Sequence, residues 1–331
     1  MQPKSIIIRG TGSYTPEKSV SNFDLEKIVD TNDAWIYERS GIRNRRIASD
    51  TEYASDMALY ASQRAIESAK ISVEEIDLII FTTVTPDKVF PSSACILQTK
   101  LGARPNIPCF DLEAACSGFV YGLEVASTMM KSGAYKNALV VSSEKLSSIV
   151  DWQDRTTCVL FGDGAGAVIL SASDEENVGI LGTSLGADGA GGDMLQLPAG
   201  GCVMPATEET VKNRLHFVKM DGKEVFKRAV KIMQEKALDV LDTCGITSAD
   251  IKLLIPHQAN IRIIESVAKR LNLPKEKVYV NIEEYGNTSS ASIPIALDEV
   301  MRDGKIQKGD FVLMVAFGAG LTWGAVLVKI N

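Results

Sequence analysis

Cys116 stands in DLEAACSGFVYGL, where an extended run gives way to helical spacing. Unpaired N–H groups and the helix dipole favour an anion at a helix start, so the position predicts a thiol of depressed pKa that can act as a nucleophile. Its neighbours Ala114, Ala115, Ser117 and Gly118 are small enough to leave room for a substrate beside the sulfur. A cysteine without partners is otherwise a small buried hydrophobe. That is the reading for Cys95, Cys109, Cys158, Cys202 and Cys244. His257, in LLIPHQAN, closes a strand-like run ahead of a helix, the place where α/β folds gather binding groups. His216, in RLHFVKM, has no such company and reads as an ordinary strand residue. Asn287, in YGNTSS, reads by itself as a helix cap. A thiol, an imidazole and a carboxamide brought together form a set for nucleophilic catalysis.

A duplication supplies the means of bringing them together. DLIIFTTVT, SSACILQTKLG, NIPCFDL, the helix opened by Cys116 and NALVVSSEK alternate short β-branched runs with longer amphipathic ones. The second half repeats the order with IKLLIPHQ, NIRIIESVAKRLN, KVYVNIEEYG, SSASIPIALDEVMRDG and DFVLMVAFG. A gapless shift of 171 positions puts Phe110 on Asn281, Gly133 on Gly304 and Cys116 on Asn287. GAVIL at Gly166 falls near GAVLV at Gly324, and Ile80 near Ile255. Such alternation predicts an α/β protein whose sheets are buried between helices. Two copies of one unit pack about a pseudo-two-fold axis, so residues 1–172 and 173–331 are expected as similar halves of one globular unit.

The whole chain limits what the site can serve. At 331 residues and 45% hydrophobic content it can bury a large core, and its net charge of −7 argues against nucleic acid or an anionic membrane as partner. Six cysteines without a CxxC or a Cys/His cluster predict reduced thiols in a cytosol and no metal site. The N-terminal MQPKSIIIRGTG reaches glycine after three apolar residues, which predicts neither signal peptide nor anchor. FGDGAGAV lacks the GxGxxG spacing and leads into a strand-like run, so it reads as a tight turn near the core. GADGAGGD reads as a surface loop.

DLEAACSGFVYGL, LLIPHQAN, EYGNTSSAS and AFGAGLTWGA, in that order, resemble β-ketoacyl-acyl carrier protein synthase III, the initiating condensing enzymes of type II fatty acid synthesis. The resemblance runs from IIIRGTGSYTP to LTWGAVLV. It implies the thiolase-like fold, two pseudo-symmetric βα halves in a layered αβαβα unit. Elongating synthases use two histidines where this chain offers His257 and Asn287, and thiolases carry a second cysteine in the C-terminal glycine-rich loop. Carried over by position, the resemblance makes Cys116 the nucleophile and gives His257 and Asn287 the malonyl half-reaction. Trp35, Arg39 and Arg155 match residues that hold the nucleotide end of coenzyme A. Thr31, Gly222, Phe226 and Asn260 match its channel, and Phe90 matches a residue closing the acyl pocket across a dimer interface. Backbone N–H groups of Cys116 and Ala319 would form the oxyanion hole, although many members have glycine at the latter position.

The same resemblance implies an acyl-CoA and malonyl-acyl carrier protein as substrates, a cytoplasmic homodimer, and no metal or redox cofactor. Arg262, Lys269 and Arg270 recur at i, i+7 and i+8 on the helix after HQAN. A solvated basic face is one reading; on an acidic protein beside the proposed mouth, and at positions resembling the family's docking helix, carrier-protein docking is the other. The run RNRR, Arg43 to Arg46, reads as an addition to that surface or as exposed loop charge. Three functions compete with the implied one: condensation in a secondary pathway with the same Cys-His-Asn set, a cysteine acyl hydrolase, and a non-catalytic acyl or CoA binder.

Overall fold

The computed structural model describes residues 3–331. The chain runs through β1 (Ser5–Tyr14), β2 (Ser19–Ser21), α1 (Asn22–Leu25), α2 (Asp33–Ser40), β3 (Asn44–Arg46), α3 (Ala54–Ala69), β4 (Leu78–Thr82) and α4 (Ser93–Leu101). It continues with β5 (Cys109–Leu112), α5 (Gly118–Lys131), β6 (Asn137–Glu144), β7 (Gly164–Ser173) and β8 (Gly179–Ala187). After β9 (Leu195–Gln196), α6 (Glu208–Lys212) and β10 (Lys219–Met220) come α7 (Gly222–Thr243), β11 (Ile251–Pro256) and α8 (Ile261–Arg270). α9 (Ile282–Tyr285), α10 (Ser292–Arg302), β12 (Phe311–Gly318) and β13 (Thr322–Lys329) complete it.

Every residue of β4 and β6 is buried, as strands covered on both faces must be. They belong to a sheet of order β5-β4-β6-β7-β1, in which β4 is parallel to β5 and β6 while β7 is antiparallel to β6 and β1. The other large sheet has the order β11-β12-β13-β8, with β11 parallel to β12 and the remaining pairs antiparallel. Strand for strand, β4, β6, β7 and β1 answer to β11, β12, β13 and β8.

Alternate side chains of the strands serve different layers. Ile79 and Phe81 face α3 through Met57, Ala61 and Ala65, whereas Leu78 and Ile80 face the middle of the molecule. There Phe119 and Leu123 of α5 and Ile293, Leu297 and Val300 of α10 meet Val140, Val168, Ile255, Met314 and Val326 of both sheets. α7 and α8 cover the far face, where Met233, Ala237 and Val267 pack on Leu254, Leu313 and Val315. The result is the expected αβαβα layering. A Cβ on Gly166 would lie 2.7 Å from the Ile295 nitrogen, so this glycine of FGDGAGAV lets α10 rest on β7. Where a tight turn was expected, Phe161 bridges to Asn287, and Gly162 and Asp163 lead into the strand that starts at Gly164.

The structure corrects four local expectations. KVYVN forms no strand: Val278 makes one parallel bridge to Leu254, after which Tyr279 and Asn281 are drawn to Glu299 of α10 and the chain coils into α9. The shift of 171 holds only at the far ends of the two middle helices, Gly133 and Gly304, which both have positive φ. At their starts 174 positions separate Gly118 from Ser292 and Ala115 (φ 45°) from Ser289 (φ 49°), because α10 is a turn shorter. Ser290 is thus the counterpart of Cys116, and Asn287 precedes that turn. His216 lies in a turn with its ring against Phe217, too close to the two-residue β10 to pair. Of the five cysteines read as buried, only Cys158 is; Cys95 and Cys202 are exposed and Cys109 and Cys244 half-buried, since each lies on an outward helix face, a sheet edge or a loop.

Candidate active site

Cys116 occupies a one-turn 3-10 helix, Ala115–Ser117, that leads into α5. The end of β12 lies directly against it: a Cβ on Gly318 would stand 2.6 Å from the Cys116 nitrogen. Thr322 braces the junction, its hydroxyl shared between the carbonyls of Ala114 (2.8 Å) and Ala319 (3.0 Å). Alanine is accommodated at 319 because the positive φ of this loop falls on Gly320. The expected depressed thiol is not what the geometry gives. Burial pushes the Cys116 thiol up to about 12, with the charge of the buried Glu144 adding to the rise and the Ser289 hydroxyl opposing it. Loss of water outweighs the helix start.

His257 follows β11 and is 2% exposed. Burial holds its imidazole down near 4, so it is neutral at physiological pH. Its Nδ1 lies 2.7 Å from the Ser292 hydroxyl, which accepts the Gln258 N–H at 3.3 Å. With its oxygen receiving that N–H, Ser292 can direct its proton to Nδ1, which leaves the ring hydrogen on Nε2. Asn287 is fixed by the same logic: its Oδ1 accepts the Ser289 N–H at 2.8 Å, so its NH₂ group is the end presented outward. It is the side chain of a turn, not a cap of α10.

Two cavities meet at Cys116. The narrower, about 100 Å³, is lined by Cys116, His257 and Asn287 together with Gly222, Phe226 and Asn260. The wider, about 280 Å³, is lined by Val84, Leu146, Ile149, Phe161, Leu195 and Val218, with Cys116 and Ala319 at its end. A sulfur between an amphipathic passage and an apolar chamber can hold an acyl chain on one side while a second substrate arrives on the other.

Of the remaining expected residues, Gly222, Phe226 and Asn260 line the passage, and Arg39 adjoins it through Asn260. The guanidinium groups of Arg39 (4.6 Å) and Arg155 (5.3 Å) both pack on the Trp35 ring, a flat cationic cluster that serves as a clamp at the surface. Thr31 is close by in the chain, its Oγ1 buried without a partner. Asn260 caps α8 and donates to the Arg39 carbonyl at 2.8 Å, and Arg262 donates to the Glu38 carbonyl at 2.8 Å, so the clamp and α8 form one rim. Arg262, Lys269 and Arg270 are exposed. Phe90 lines neither cavity and is 83% exposed beside Val89 at 90%. RNRR is no exposed charge cluster: Arg45 is fully buried, and Arg43 and Arg46 pair with Glu283 and Glu284 because β3 lies against α9. Among the described residues no cluster of three His, Cys, Asp or Glu side chains forms.

Two family models match, 3-oxoacyl-[acyl-carrier-protein] synthase III over residues 110–189 and its C-terminal part over residues 241–330. A β-ketoacyl-[acyl-carrier-protein] synthase III of Caldanaerobacter subterraneus is 56% identical over 322 residues, 97% of each chain. The chain belongs to this synthase III family. The crystal structure of 3-oxoacyl-[acyl-carrier-protein] synthase III from Aquifex aeolicus superposes with a TM-score of 0.91 at 50% identity, covering 98% of this chain and all of that one. The priming β-ketosynthase of the R1128 polyketide pathway also reaches 0.91, at 36% identity over the whole of this chain and 97% of that one.

Three residues of this synthase III site escaped the sequence reading. Ser292 has no signal in SSASIP beyond its serine-rich surroundings. Glu144, at the end of a buried strand, is the sharper case. Its carboxylate accepts from the hydroxyls of Thr83, Thr85 and Ser290 and from the Val84 N–H, at 2.8–3.1 Å. Burial drives its carboxyl up while these four bonds pull it down. Thr322 lies in LTWG, a motif the sequence reading noticed for its glycines.

Proposed function

We propose that the chain joins an acyl-CoA primer to malonyl-acyl carrier protein by decarboxylative Claisen condensation, giving a 3-oxoacyl-acyl carrier protein and starting type II fatty acid synthesis. The observation that carries this reading is the passage shared by Cys116, His257 and Asn287 in a member of the synthase III family. Cys116 Sγ attacks the thioester carbon and the CoA sulfur leaves, taking up the proton that the thiol gave. The tetrahedral oxyanion accepts from the backbone N–H groups of Cys116 and Ala319. Malonyl-carrier protein then loses CO₂, and the electron pair of the broken C–C bond passes into an enolate. His257 Nε2–H and Asn287 Nδ2–H donate to its oxygen. The carbanion attacks the acyl carbon, the bond to Cys116 Sγ breaks with its electron pair going to sulfur, and the departing thiolate takes a proton from solvent to restore the thiol. Each step is served by side chains and backbone alone, so the reaction calls for no metal or redox cofactor.

Support for the substrate assignments is local. The Arg39–Trp35–Arg155 cluster, with Thr31 near it in the chain, suits the nucleotide end of CoA, the passage past Gly222, Phe226 and Asn260 suits its pantetheine arm, and the apolar chamber suits the primer. Arg262, Lys269 and Arg270 offer the rim to an acidic carrier protein. The exposed Val89–Phe90 pair supports a homodimer in which Phe90 reaches the partner's chamber. The matched strand orders support division at 172/173 into two similar halves. Reduced cysteines suit a cytoplasmic enzyme, and no described helix is long and apolar enough to cross a membrane.

Mass spectrometry after incubation with a panel of acyl-CoAs tests the reading. One acyl mass is expected on the Cys116 peptide and none in Cys116→Ala. Alanine at His257 or Asn287 should retain that adduct while malonyl-carrier decarboxylation falls at least about a hundredfold, the scale of one oxyanion donor. An adduct on another cysteine, or acyl transfer to water without a malonyl requirement, would contradict it.

A further inference from the structure

The run RNRR, which the reaction does not use, lies against the turn that carries Asn287. The Asn287 peptide is fixed on both sides by one neighbouring segment: its N–H donates to the Leu160 carbonyl at 2.8 Å, and its carbonyl accepts from Gly162 N–H at 3.0 Å. Arg45 holds that segment from beneath. Its Nη2 donates to the Val159 carbonyl and to Asn22 Oδ1, both at 2.9 Å, and its Nη1 to the Val20 carbonyl at 3.1 Å. Glycines at 162 and 286 make the close approach feasible. A Cβ on Gly162 would stand 3.2 Å from Arg45 Cβ and 2.3 Å from the Tyr285 carbonyl, and one on Gly286 (φ 65°) 2.8 Å from the Leu160 carbonyl.

Among the described residues no carboxylate pairs with the guanidinium in this fully buried place. Burying an uncompensated cation is expensive, and the desolvation pulls Arg45 down to about 10. A methionine or leucine would fill such a space at less cost if packing were the only demand. Around Arg45 a ring of weaker contacts grips the four-residue helix just before Asn287. Arg43 N–H donates to the Glu283 carbonyl at 3.0 Å and its Nε to the Glu283 carboxylate at 2.9 Å. Arg46 pairs with Glu284, which also accepts from Asn44 Nδ2 at 3.2 Å. None of these groups bonds to Cys116, nor to His257, which is placed by Val315 and Ser292.

We propose that Arg43–Arg46 is a positioning clamp for Asn287, with Arg45 as its central residue. The proposal rests on the condensing reading above and deepens it. The clamp acts on the malonyl half-reaction and leaves acyl transfer to Cys116 alone.

The experiment measures both half-reactions separately, self-acylation of Cys116 from acyl-CoA and decarboxylation of malonyl-carrier protein, in wild type, Asn287→Ala, Arg45→Gln and the swap set Arg46→Glu, Glu284→Arg and their double. Arg45→Gln should keep self-acylation within about threefold while decarboxylation falls at least about tenfold toward Asn287→Ala, in kcat and not in KM for the carrier substrate. Each single swap should lower decarboxylation and the double should recover most of it. If Arg45→Gln has no thermal unfolding transition, the swap set alone decides. Parallel loss of both half-reactions, unchanged decarboxylation, or a double no better than its singles overturns the clamp. Wild type without either half-reaction would instead sink the condensing reading.

Discussion

Burial acts in opposite senses on Cys116 and His257 and leaves both neutral. Cys116 is driven up to about 12 and His257 down near 4, while Asn287 cannot titrate. A neutral imidazole with its hydrogen on Nε2 is what an enolate oxygen needs, since no proton has to be removed from malonate. Decarboxylation by wild type should therefore show no histidine break between about pH 5 and 8, and a break near the ordinary histidine value of 6.5 would contradict the assignment. The histidine stabilises the fold fully above pH 6.5, and this contribution is lost as pH falls through about 4. For the thiol, folded pKa exceeds unfolded, so its contribution is complete below pH 9.0 and is lost as pH rises toward 12. Denaturant titrations above pH 9 should show wild type losing up to about 1.4 kcal/mol per pH unit relative to Cys116→Ala, the value of one proton. Equal pH dependence of the two would mean an unshifted thiol.

At the scale of elements, the site depends on how closely helices approach strands. α10 rests on β7 only because position 166 has no side chain, and α10 carries Ser292 and, through its lead-in turn, the Ser289 N–H that orients Asn287. Gly166→Ala should lower stability by about 1–3 kcal/mol, the cost of overpacking, and weaken decarboxylation with it. Gly201→Ala, where nothing lies within 4 Å of the new methyl, is the matched control and should be close to neutral. Ser292→Ala frees the His257 tautomer without opening a large cavity. Loss of that one hydrogen bond should cut decarboxylation about tenfold and leave acylation of Cys116 near wild type, read from the same pair of half-reaction assays. The buried Glu144 network has a comparable duty. It ties Thr83 and Thr85 after β4 to Ser290 ahead of α10, and so joins the halves beside the sulfur.

The whole molecule is acidic, with a net charge of −7, yet its rim above the passage is basic. On the docking proposed above, an acidic carrier protein would be steered there by a local field that salt screens over about 8–10 Å. Arg262→Glu should raise KM for malonyl-carrier protein, with the effect shrinking at high salt, while carrier-free acylation falls far less. Equal, salt-independent loss in both would assign Arg262 to the passage, where its bond to the Glu38 carbonyl already ties it to α2. The Val89–Phe90 pair belongs to the same scale. Two adjacent large apolar side chains this exposed imply a covered surface. Phe90→Asp should shift sedimentation from dimer toward monomer and reduce condensation, and an unchanged sedimentation coefficient would remove Phe90 from the interface.

Residue types and their order carried the α/β class and singled out Cys116, His257 and Asn287, which the structure gathers in one passage, because the repeat of βα units is written in local periodicity and these residues stand at strand and helix ends. The αβαβα layering was implied by the family resemblance, and the strand order is a finding of the structure. What the sequence left undetermined depends on contacts between segments far apart in the chain. Thiol burial arises where β12 and the Asn287 turn close over Cys116, and it reversed the expected direction of the thiol's pKa. The three-residue offset between the helix starts shows only when both turns are folded, since the ends of the same helices still match at 171. RNRR is the clearest case. Four residues that look like surface charge become one buried guanidinium and two paired ones, because more than a hundred residues later the chain brings the Val159 carbonyl and the α9 carboxylates to meet them. Composition and spacing state which charges a segment carries; only the tertiary structure decides which of them lose their water.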